Sequence, residues 1–221
     1  MKALILAAGR GERMRPLTDT TPKPLLPVAG KPLIEYTIEA LVNQGITDLV
    51  INLSHLGKQI QKAIGNGKRF NATINYSAEG DSALETAGGI IHALPLLGND
   101  PFLVVNGDIA SDYPFGQLKH KSIDLAHLVL IPNPEHHPEG DFGLEKGMVK
   151  KQANEYFTFS GIGLYHPDLF AQTPPGKSKL GPLLREAMQQ NRISGELHKG
   201  FWMDIGTPER LIELEKYYEN S

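Results

Sequence analysis

Short apolar runs alternate with amphipathic stretches along most of the chain. Runs of strand length stand at residues 2–6, 48–53, 73–76, 102–105, 125–131 and 157–165. The intervening segments predict helices at 32–45, 56–64, 86–97, 183–190 and from 208 onward. Strands that alternate with helices in this way are typical of parallel βαβ units. The pattern therefore predicts an α/β fold.

The stretch from Leu6 to Lys23 gives the strongest functional signal. Gly9 and Gly11 follow the first strand directly, where they let the backbone turn sharply and open its N–H groups to phosphate oxygens. Cations that could clamp a polyphosphate stand nearby, at Arg10, Arg13, Arg15 and Lys23. Four prolines between Pro22 and Pro32 exclude a helix, and we expect an extended segment that fixes Lys23. These features predict a nucleoside triphosphate site.

Other readings of this stretch are less favourable. A Walker A loop needs Gly-Lys-Ser/Thr at a fixed distance from the first glycine, and this motif is absent from the stretch. A dinucleotide fingerprint needs a third glycine, where the chain has Met14. An ordinary basic loop is the plain alternative. We rank it lower because the glycines and cations coincide directly after a buried strand.

A second signal follows the apolar run at 102–105. Asn106, Gly107 and Asp108 come at its carboxyl end, and this end of a parallel sheet forms the ligand crevice. An aspartate beside a triphosphate would repel it unless a divalent cation lay between them. A helix cap or turn is the alternative role for Asp108. A later strand brings a second aspartate, Asp204, to its end.

Three loops leave their roles open. The glycine-bearing loop that starts at Glu79 and Gly80 is expected to contact ligand, or else to be a flexible connection. Asp141 could bind a sugar hydroxyl or only shape a turn. The adjacent histidines at 136 and 137, flanked by prolines, indicate a solvated loop rather than a metal site.

Composition narrows the class of protein. The 221 residues fit one domain spanning 1–221, and a net charge of −3 gives no sign of a nucleic-acid or anionic-membrane partner. There is no cysteine, which suits a reducing cytosol. A core strand starts at Lys2, and no apolar run approaches the length of a membrane span. We therefore expect a soluble cytoplasmic protein, monomeric or a small homo-oligomer.

Four motifs together resemble the sugar-1-phosphate nucleotidylyltransferase family. They are Leu6-Ala-Ala-Gly-x-Gly-x-Arg-Met-Arg-Pro-Leu-Thr18, Pro22-Lys-Pro24, Asn106-Gly-Asp108 and Trp202-x-Asp204-x-Gly-Thr207. The resemblance covers almost the whole chain. Segments at 127–142 and 157–161 are most similar to members that use UTP. The resemblance implies a Rossmann-like three-layer α/β/α domain with a mostly parallel, mixed central sheet, and UTP and a sugar 1-phosphate as substrates.

The resemblance also implies roles for individual residues. Nucleotide would be held by Leu6, Ala8, Gly9, Gly11, Glu12, Arg13 and Lys23, with Glu79 and Gly80 near the base. Arg15 would neutralise the departing pyrophosphate, Lys23 would bridge the reacting phosphates, and Asp108 and Asp204 would hold Mg²⁺. The sugar pocket would contain Asn106, Asp141, Glu155 and Gly161.

One segment departs from the family pattern, and the substrate stays open. Many relatives carry Glu-Lys-Pro before the strand at 157–165, where this chain has Val149-Lys-Lys-Gln-Ala-Asn-Glu155. Lys150, Lys151 or Glu155 could take over as the sugar-phosphate anchor. A different sugar phosphate or base is the alternative within the family, and a non-catalytic nucleotide-sugar sensor is the alternative outside it. Arg15, Lys23, Asp108 and Asp204 occur together, which favours catalysis.

Overall fold

The computed structural model describes residues 1–80 and 83–220. Its α-helices are Leu33–Asn43 (α1), Gly57–Ile64 (α2), Glu85–Leu97 (α3), Leu180–Gln189 (α4) and Pro208–Glu219 (α5). Its strands are Lys2–Leu6 (β1), Pro27–Val28 (β2), Lys31–Pro32 (β3), Asp48–Leu53 (β4), Thr73–Ala78 (β5), Phe102–Asn106 (β6), Ile109–Ser111 (β7), Ala126–Ile131 (β8), Phe142–Glu145 (β9), Met148–Lys150 (β10), Tyr156–Tyr165 (β11), Ile193–Leu197 (β12) and Trp202–Asp204 (β13). The predicted strands and helices are thus confirmed, with ends that shift by a few residues.

Four parallel strands form one half of the main sheet, in the order β5-β4-β1-β6. β1 lies between β4 and β6, with Leu4 opposite Val50 on one side and Val104 on the other. The predicted βαβ pattern is confirmed here, because apolar strands covered on both faces favour parallel pairing. β4 and β5 follow on one side of β1, and the next strand, β6, lies on its other side, so the strand order reverses between β1 and β6.

The other half of the sheet is mainly antiparallel. β11 joins β6 to β8, and the order continues through β12, β10 and β9. β9 also pairs with β11, so these last five strands close on themselves. Among the pairings of the main sheet that the described residues form, four are parallel and five antiparallel. The sheet is mixed as predicted, but the prediction of a mostly parallel sheet is wrong. The short strands β9, β10 and β12 gave no recognisable apolar run.

Helices pack on both faces of the parallel strands. Ile5 and Ile51 point to one face and share a core with Ile34 and Ile38 of α1 and Ile60 of α2. The alternate residues face the other way and pack against the other pair of helices: Leu4, Val50 and Val104 lie with Ile90 of α3 and Leu184 of α4. Successive side chains of a strand point to opposite faces of the sheet, so each strand packs into two separate cores. Nowhere in the described part of the chain is a helix long and apolar enough to span a bilayer.

Lys23 lies in a short turn rather than in the predicted extended segment. Residues Lys23–Leu25 form a 3₁₀ turn, in which the Leu25 N–H bonds the Pro22 carbonyl at 2.8 Å. The prolines exclude an α-helix as expected, but Pro24 tolerates the second position of a single 3₁₀ turn because its missing N–H needs no partner there. The turn still fixes the Lys23 backbone.

Candidate active site

Loops after the four parallel strands surround a cleft of about 360 Å³. Its walls come from the carboxyl ends of β1, β4, β5 and β6 and from the start of α3, and the lining residues include Leu6, Ala7, Ala8, Gly9, Lys23, Asn52, Glu79, Thr86, Asn106, Gly107 and Asp108. The cleft lies beside the point where the strand order reverses, which is the usual ligand site of open α/β sheets. The predicted crevice is therefore present at the predicted edge of the sheet.

Gly107 lets the ends of β1 and β6 approach each other. Its N–H donates to the Leu6 carbonyl at 2.9 Å, and a Cβ at this position would stand 2.7 Å from the same oxygen. A larger residue would therefore push apart the two strand ends that present Leu6 and Asp108.

Gly11 shapes the loop after β1. Its φ of +64° is left-handed, and a Cβ would meet Thr18 at 2.9 Å and Lys23 at 3.2 Å. The Thr18 hydroxyl donates to the Gly11 carbonyl at 2.8 Å, which holds the loop in this form. A second depression opens here, lined by Gly9, Arg10, Gly11, Glu12, Arg13, Lys23, Asp108 and Gly206. Lys23 and Asp108 belong to both depressions, so the loop and the cleft form one continuous site.

An ion pair between Lys23 and Asp108 stands at the centre of this site. The Lys23 Nζ lies 2.6 Å from Asp108 Oδ2, with the lysine side chain 10% exposed and the aspartate 41% exposed. Asp108 lies in a turn between β6 and β7 and not at a helix cap, and its role as a metal ligand stays a prediction. A nearly buried ammonium with one exposed carboxylate partner is well placed to meet an anionic ligand.

Asp204 lies on the strand that pairs with the segment after Asp108. β13 runs antiparallel to β7, and the Ile205 N–H donates to the Asp108 carbonyl at 2.7 Å. Arg210 binds Asp204 Oδ2 at 2.5 Å, whereas Oδ1 is buried without a hydrogen-bond partner. His136 Nε2 stands 3.2 Å from this Oδ1. The predicted solvated histidine loop thus reaches the second aspartate.

Asp108 and Asp204 are the predicted magnesium ligands, and of these two Asp108 lines both depressions of the site whereas Asp204 lines neither. Both residues carry hard carboxylate oxygens of the kind Mg²⁺ prefers, and the buried Oδ1 of Asp204 makes no hydrogen bond, although His136 Nε2 lies 3.2 Å from it. No cluster of three or more metal-ligating side chains exists among the residues described here. Mg²⁺ commonly takes one or two carboxylates and completes its shell with water and substrate phosphates.

Asn52 is a cleft residue that the sequence analysis missed. Its Oδ1 accepts from the Ala7 N–H and its Nδ2 donates to Glu79 Oε1, both at 2.6 Å. Glu79 Oε2 accepts from the Leu84 N–H at 3.0 Å. This Asn52–Glu79 staple joins the ends of β1, β4 and β5 to the start of α3. In the sequence, Asn52 stands out as one amide side chain within the apolar run of β4, and this was the signal that could have identified it.

The residues predicted for the sugar side are only partly together. Gly161, with φ +80°, leaves room for the Asn106 side chain, whose amide nitrogen would stand 2.5 Å from a Cβ there. Asp141 instead accepts from the Phe159 N–H at 2.8 Å and contacts His137. Glu155 is exposed, and Lys150 donates to Asn191 at 2.5 Å. Asp141 thus acts as a turn residue here, and neither Glu155 nor Lys150 lines the cleft.

Three further predicted residues, Arg13, Arg15 and Gly80, differ in their distance from the site. Arg15 is 62% exposed and contacts Asp19 at 3.2 Å, while Arg13 lines the depression beside Lys23. Gly80 follows Glu79, and its carbonyl accepts from the Ser54 hydroxyl at 3.1 Å. Of the cations between Leu6 and Lys23, Arg10, Arg13 and Lys23 therefore border the site.

Known proteins match this chain over almost its full length. A family model described as nucleotidyl transferase matches residues 2–221. The N-acetylmuramate alpha-1-phosphate uridylyltransferase of Neisseria meningitidis is 52% identical over 97% of both chains. A mannose-1-phosphate guanyltransferase of Hypocrea jecorina is 32% identical over all of this chain and 65% of its own length. A Bacillus anthracis protein assigned as a glucose-1-phosphate thymidylyltransferase, crystallised with sucrose, superposes with a TM-score of 0.87 over 100% of this chain and 96% of its own, at 22% identity, which supports the fold alone.

Proposed function

The chain belongs to the nucleotidyl transferase family, and from this premise we propose that it transfers a uridylyl group from UTP to N-acetylmuramic acid 1-phosphate, releasing pyrophosphate. The product is UDP-N-acetylmuramic acid, and the reaction belongs to the recycling of cell-wall peptidoglycan. The observation that carries the proposal is the 52% identity to the Neisseria uridylyltransferase over 97% of both chains. Transfer of a guanylyl group to mannose 1-phosphate is the second candidate, favoured by relatives at about 32% identity.

The two reactants of the proposed transfer are both anions, and this decides what the site has to do. A sugar phosphate with a second pKa of about 6 is mostly a dianion at neutral pH, so it needs no general base. Its attack on the α-phosphorus is opposed by mutual repulsion and by the charge that builds on the leaving pyrophosphate. The enzyme therefore has to align the two reactants and offset their charge.

Each part of the site can take one of these tasks. Backbone N–H groups at Gly9 and Gly11 would hold the triphosphate, with Arg13 and Arg15 offsetting the charge of the pyrophosphate. Lys23 would bridge the α-phosphate and the incoming sugar phosphate. Its burial supports this role, because a cation with little access to water interacts more strongly with charge beside it.

Asp108 and Asp204 would hold Mg²⁺ in this proposal. The ion would supply positive charge beside the transferring phosphoryl group. Arg210 binds Oδ2 of Asp204 and His136 Nε2 lies 3.2 Å from Oδ1, so Oδ1 would exchange the histidine for the ion. Asp108 would exchange its Lys23 contact when substrates enter, which releases the ammonium for phosphate.

The proposal includes the scaffold. Cores on both faces of the parallel strands support a Rossmann-like three-layer α/β/α arrangement. One sheet order runs from β5 to β9 without a break, which supports a single domain over residues 1–221.

Pyrophosphate release over a grid of four nucleoside triphosphates and several sugar 1-phosphates tests the proposal. We expect turnover with UTP and N-acetylmuramic acid 1-phosphate, loss of turnover after chelation, and recovery when Mg²⁺ returns. Turnover only with GTP and mannose 1-phosphate would favour the second candidate. Absence of turnover across the grid would leave a binding protein and refute the enzyme.

A further inference from the structure

Glu85 has a backbone conformation that its side chain disfavours. It is the first residue of α3 and has φ +62°. Glycine adopts this left-handed region without strain, whereas other residues are strained there. Such strain persists only where the surroundings fix the backbone, and it is found most often at functional sites.

The surroundings of Glu85 do fix its backbone. The preceding residue, Leu84, donates its N–H to Glu79 and accepts at its carbonyl from the Ser178 N–H at 2.9 Å. One turn further on, the Gly88 N–H donates to the Ser178 carbonyl at 3.1 Å. The start of α3 is therefore held between the Asn52–Glu79 staple and the loop that contains Ser178.

The Glu85 side chain lies in the wall of the cleft. It lines the same space as Lys23, Asp108 and Thr86. Lys177 also lies in this wall, with its Nζ 3.8 Å from Glu85 Oε1. The Lys177 side chain is 71% exposed and the Glu85 side chain 39% exposed. An ion pair so open to water contributes little to stability, so it does not explain a strained glutamate here.

We propose that Glu85 is a substrate-binding residue, an inference that rests on the proposed function. A carboxylate repels phosphates but accepts strong hydrogen bonds from hydroxyl and N–H groups. Both substrates offer such donors: UTP has ribose hydroxyls and the uracil N–H, and the sugar phosphate has hydroxyl and amide groups. Glu85 accepts a hydrogen bond from one of these donor groups, and this bond replaces its contact with Lys177.

Binding affinities of Glu85→Gly and Glu85→Gln test this directly. Calorimetry with UTP and with the sugar phosphate gives both dissociation constants without relying on turnover. Glycine removes the carboxylate and the strain, so we expect about tenfold weaker binding of one substrate and a melting temperature no lower than that of the wild type. Glutamine keeps the strain and one acceptor, so its affinity falls less. The substrate whose affinity falls identifies the source of the donor.

Lys146→Gly is the matched control. Lys146 is also left-handed, at φ +50°, but is exposed between β9 and β10 and lines neither depression of the site. We expect unchanged affinity for both substrates. Affinities within twofold of the wild type for both substrates in Glu85→Gly, or an equal loss in Lys146→Gly, would overturn the inference. Wild-type protein that binds both substrates without turnover would refute the proposed function alone, and protein that binds neither would refute both.

Discussion

At the scale of single residues, Lys23 is the group on which the proposed chemistry depends most. Its ammonium is nearly buried and lies 2.6 Å from Asp108 in the cleft. We expect Lys23→Ala to lower kcat by about 10² to 10³, because a positioned charge at the transferring phosphate is lost. Steady-state pyrophosphate release measures this. Lys58→Ala, which removes an exposed lysine of α2, should leave the rate unchanged. A rate near that of the wild type in Lys23→Ala would disprove the role.

The roles of Arg13 and Arg15 can be distinguished by the same assay. The family resemblance assigns the pyrophosphate to Arg15, but the geometry favours Arg13, since Arg13 borders the depression and Arg15 is turned to Asp19. We expect Arg13→Ala to reduce kcat/KM by about 10² and Arg15→Ala to reduce it much less. The reverse order would show that the first loop rearranges when substrate binds.

Residue identities were predictable where chemistry and position coincided. Asp108 and the glycines of the first loop could be selected because polar or small residues follow apolar runs directly, and Lys23 because prolines flank it. Asn52 could not, because one amide inside an apolar strand is also an ordinary buried residue. Glu85 could not either, since its distinguishing property is a backbone angle that composition does not reveal.

At the scale of elements, the Asn52–Glu79 staple connects three strand ends with α3. Asn52→Leu would leave the Ala7 N–H and the Glu79 carboxylate without this partner, so we expect a loss of about 1–3 kcal/mol in the free energy of unfolding. Denaturant unfolding measures it. Asn154→Leu, at an exposed site, should change stability by less than about 0.5 kcal/mol. Equal stability in the two variants would argue against the staple.

A second polar cluster links β8, β12 and the segment before β8. His127 is 2% exposed, and its ring nitrogens face Ser194 at 2.8 Å and Glu196 at 3.1 Å. Burial, with nearby Lys121, holds the pKa of His127 below its ordinary 6.5 against the opposing effect of Glu196. Burial also acts to raise the pKa of Glu196, but hydrogen bonds from Lys121 and Tyr113 outweigh it and leave that pKa below 4.5.

These shifts give stability a defined dependence on pH. A group whose pKa is lower in the folded chain binds more protons when unfolded, so its contribution is lost as pH falls below the unfolded value. That loss begins near 6.5 for His127 and near 4.5 for Glu196. We expect the free energy of unfolding to fall from about pH 7 downward, by at most about 1.4 kcal/mol per pH unit for each proton. Unfolding of His127→Gln should show a flatter curve between these values, and parallel curves would contradict the assignment.

The elements were predictable in proportion to their length and apolar content. β1, β4, β6 and β8 are mainly apolar runs, and the parallel pairing of β1 with β4 and β6 followed from the alternation with helices. β9 and β10 have only four and three residues, and their pairing depends on the left-handed turn at Lys146 and Gly147. β9 pairs with β11 across the intervening strand β10, and the alternation of strands with helices does not predict that pairing.

At the scale of the whole molecule, a chain of net charge −3 concentrates cations at one edge of its sheet. Arg10, Arg13 and Lys23 border the site, where β1 and β6 end on either side of the strand-order reversal. In the proposed function, the parallel half would therefore supply the nucleotide side. The half that contains β11 packs Gly161 against Asn106, which lines the cleft.

The central claim is that this cleft selects UTP and N-acetylmuramic acid 1-phosphate, and a competition reaction tests it most directly. The protein is given equal concentrations of UTP, GTP, N-acetylmuramic acid 1-phosphate and mannose 1-phosphate with Mg²⁺, and the products are identified by mass spectrometry. The yields then follow the ratios of kcat/KM. We predict UDP-N-acetylmuramic acid in at least about 10²-fold excess over every other nucleotide sugar. A mixture without preference, or GDP-mannose as the main product, would contradict the account.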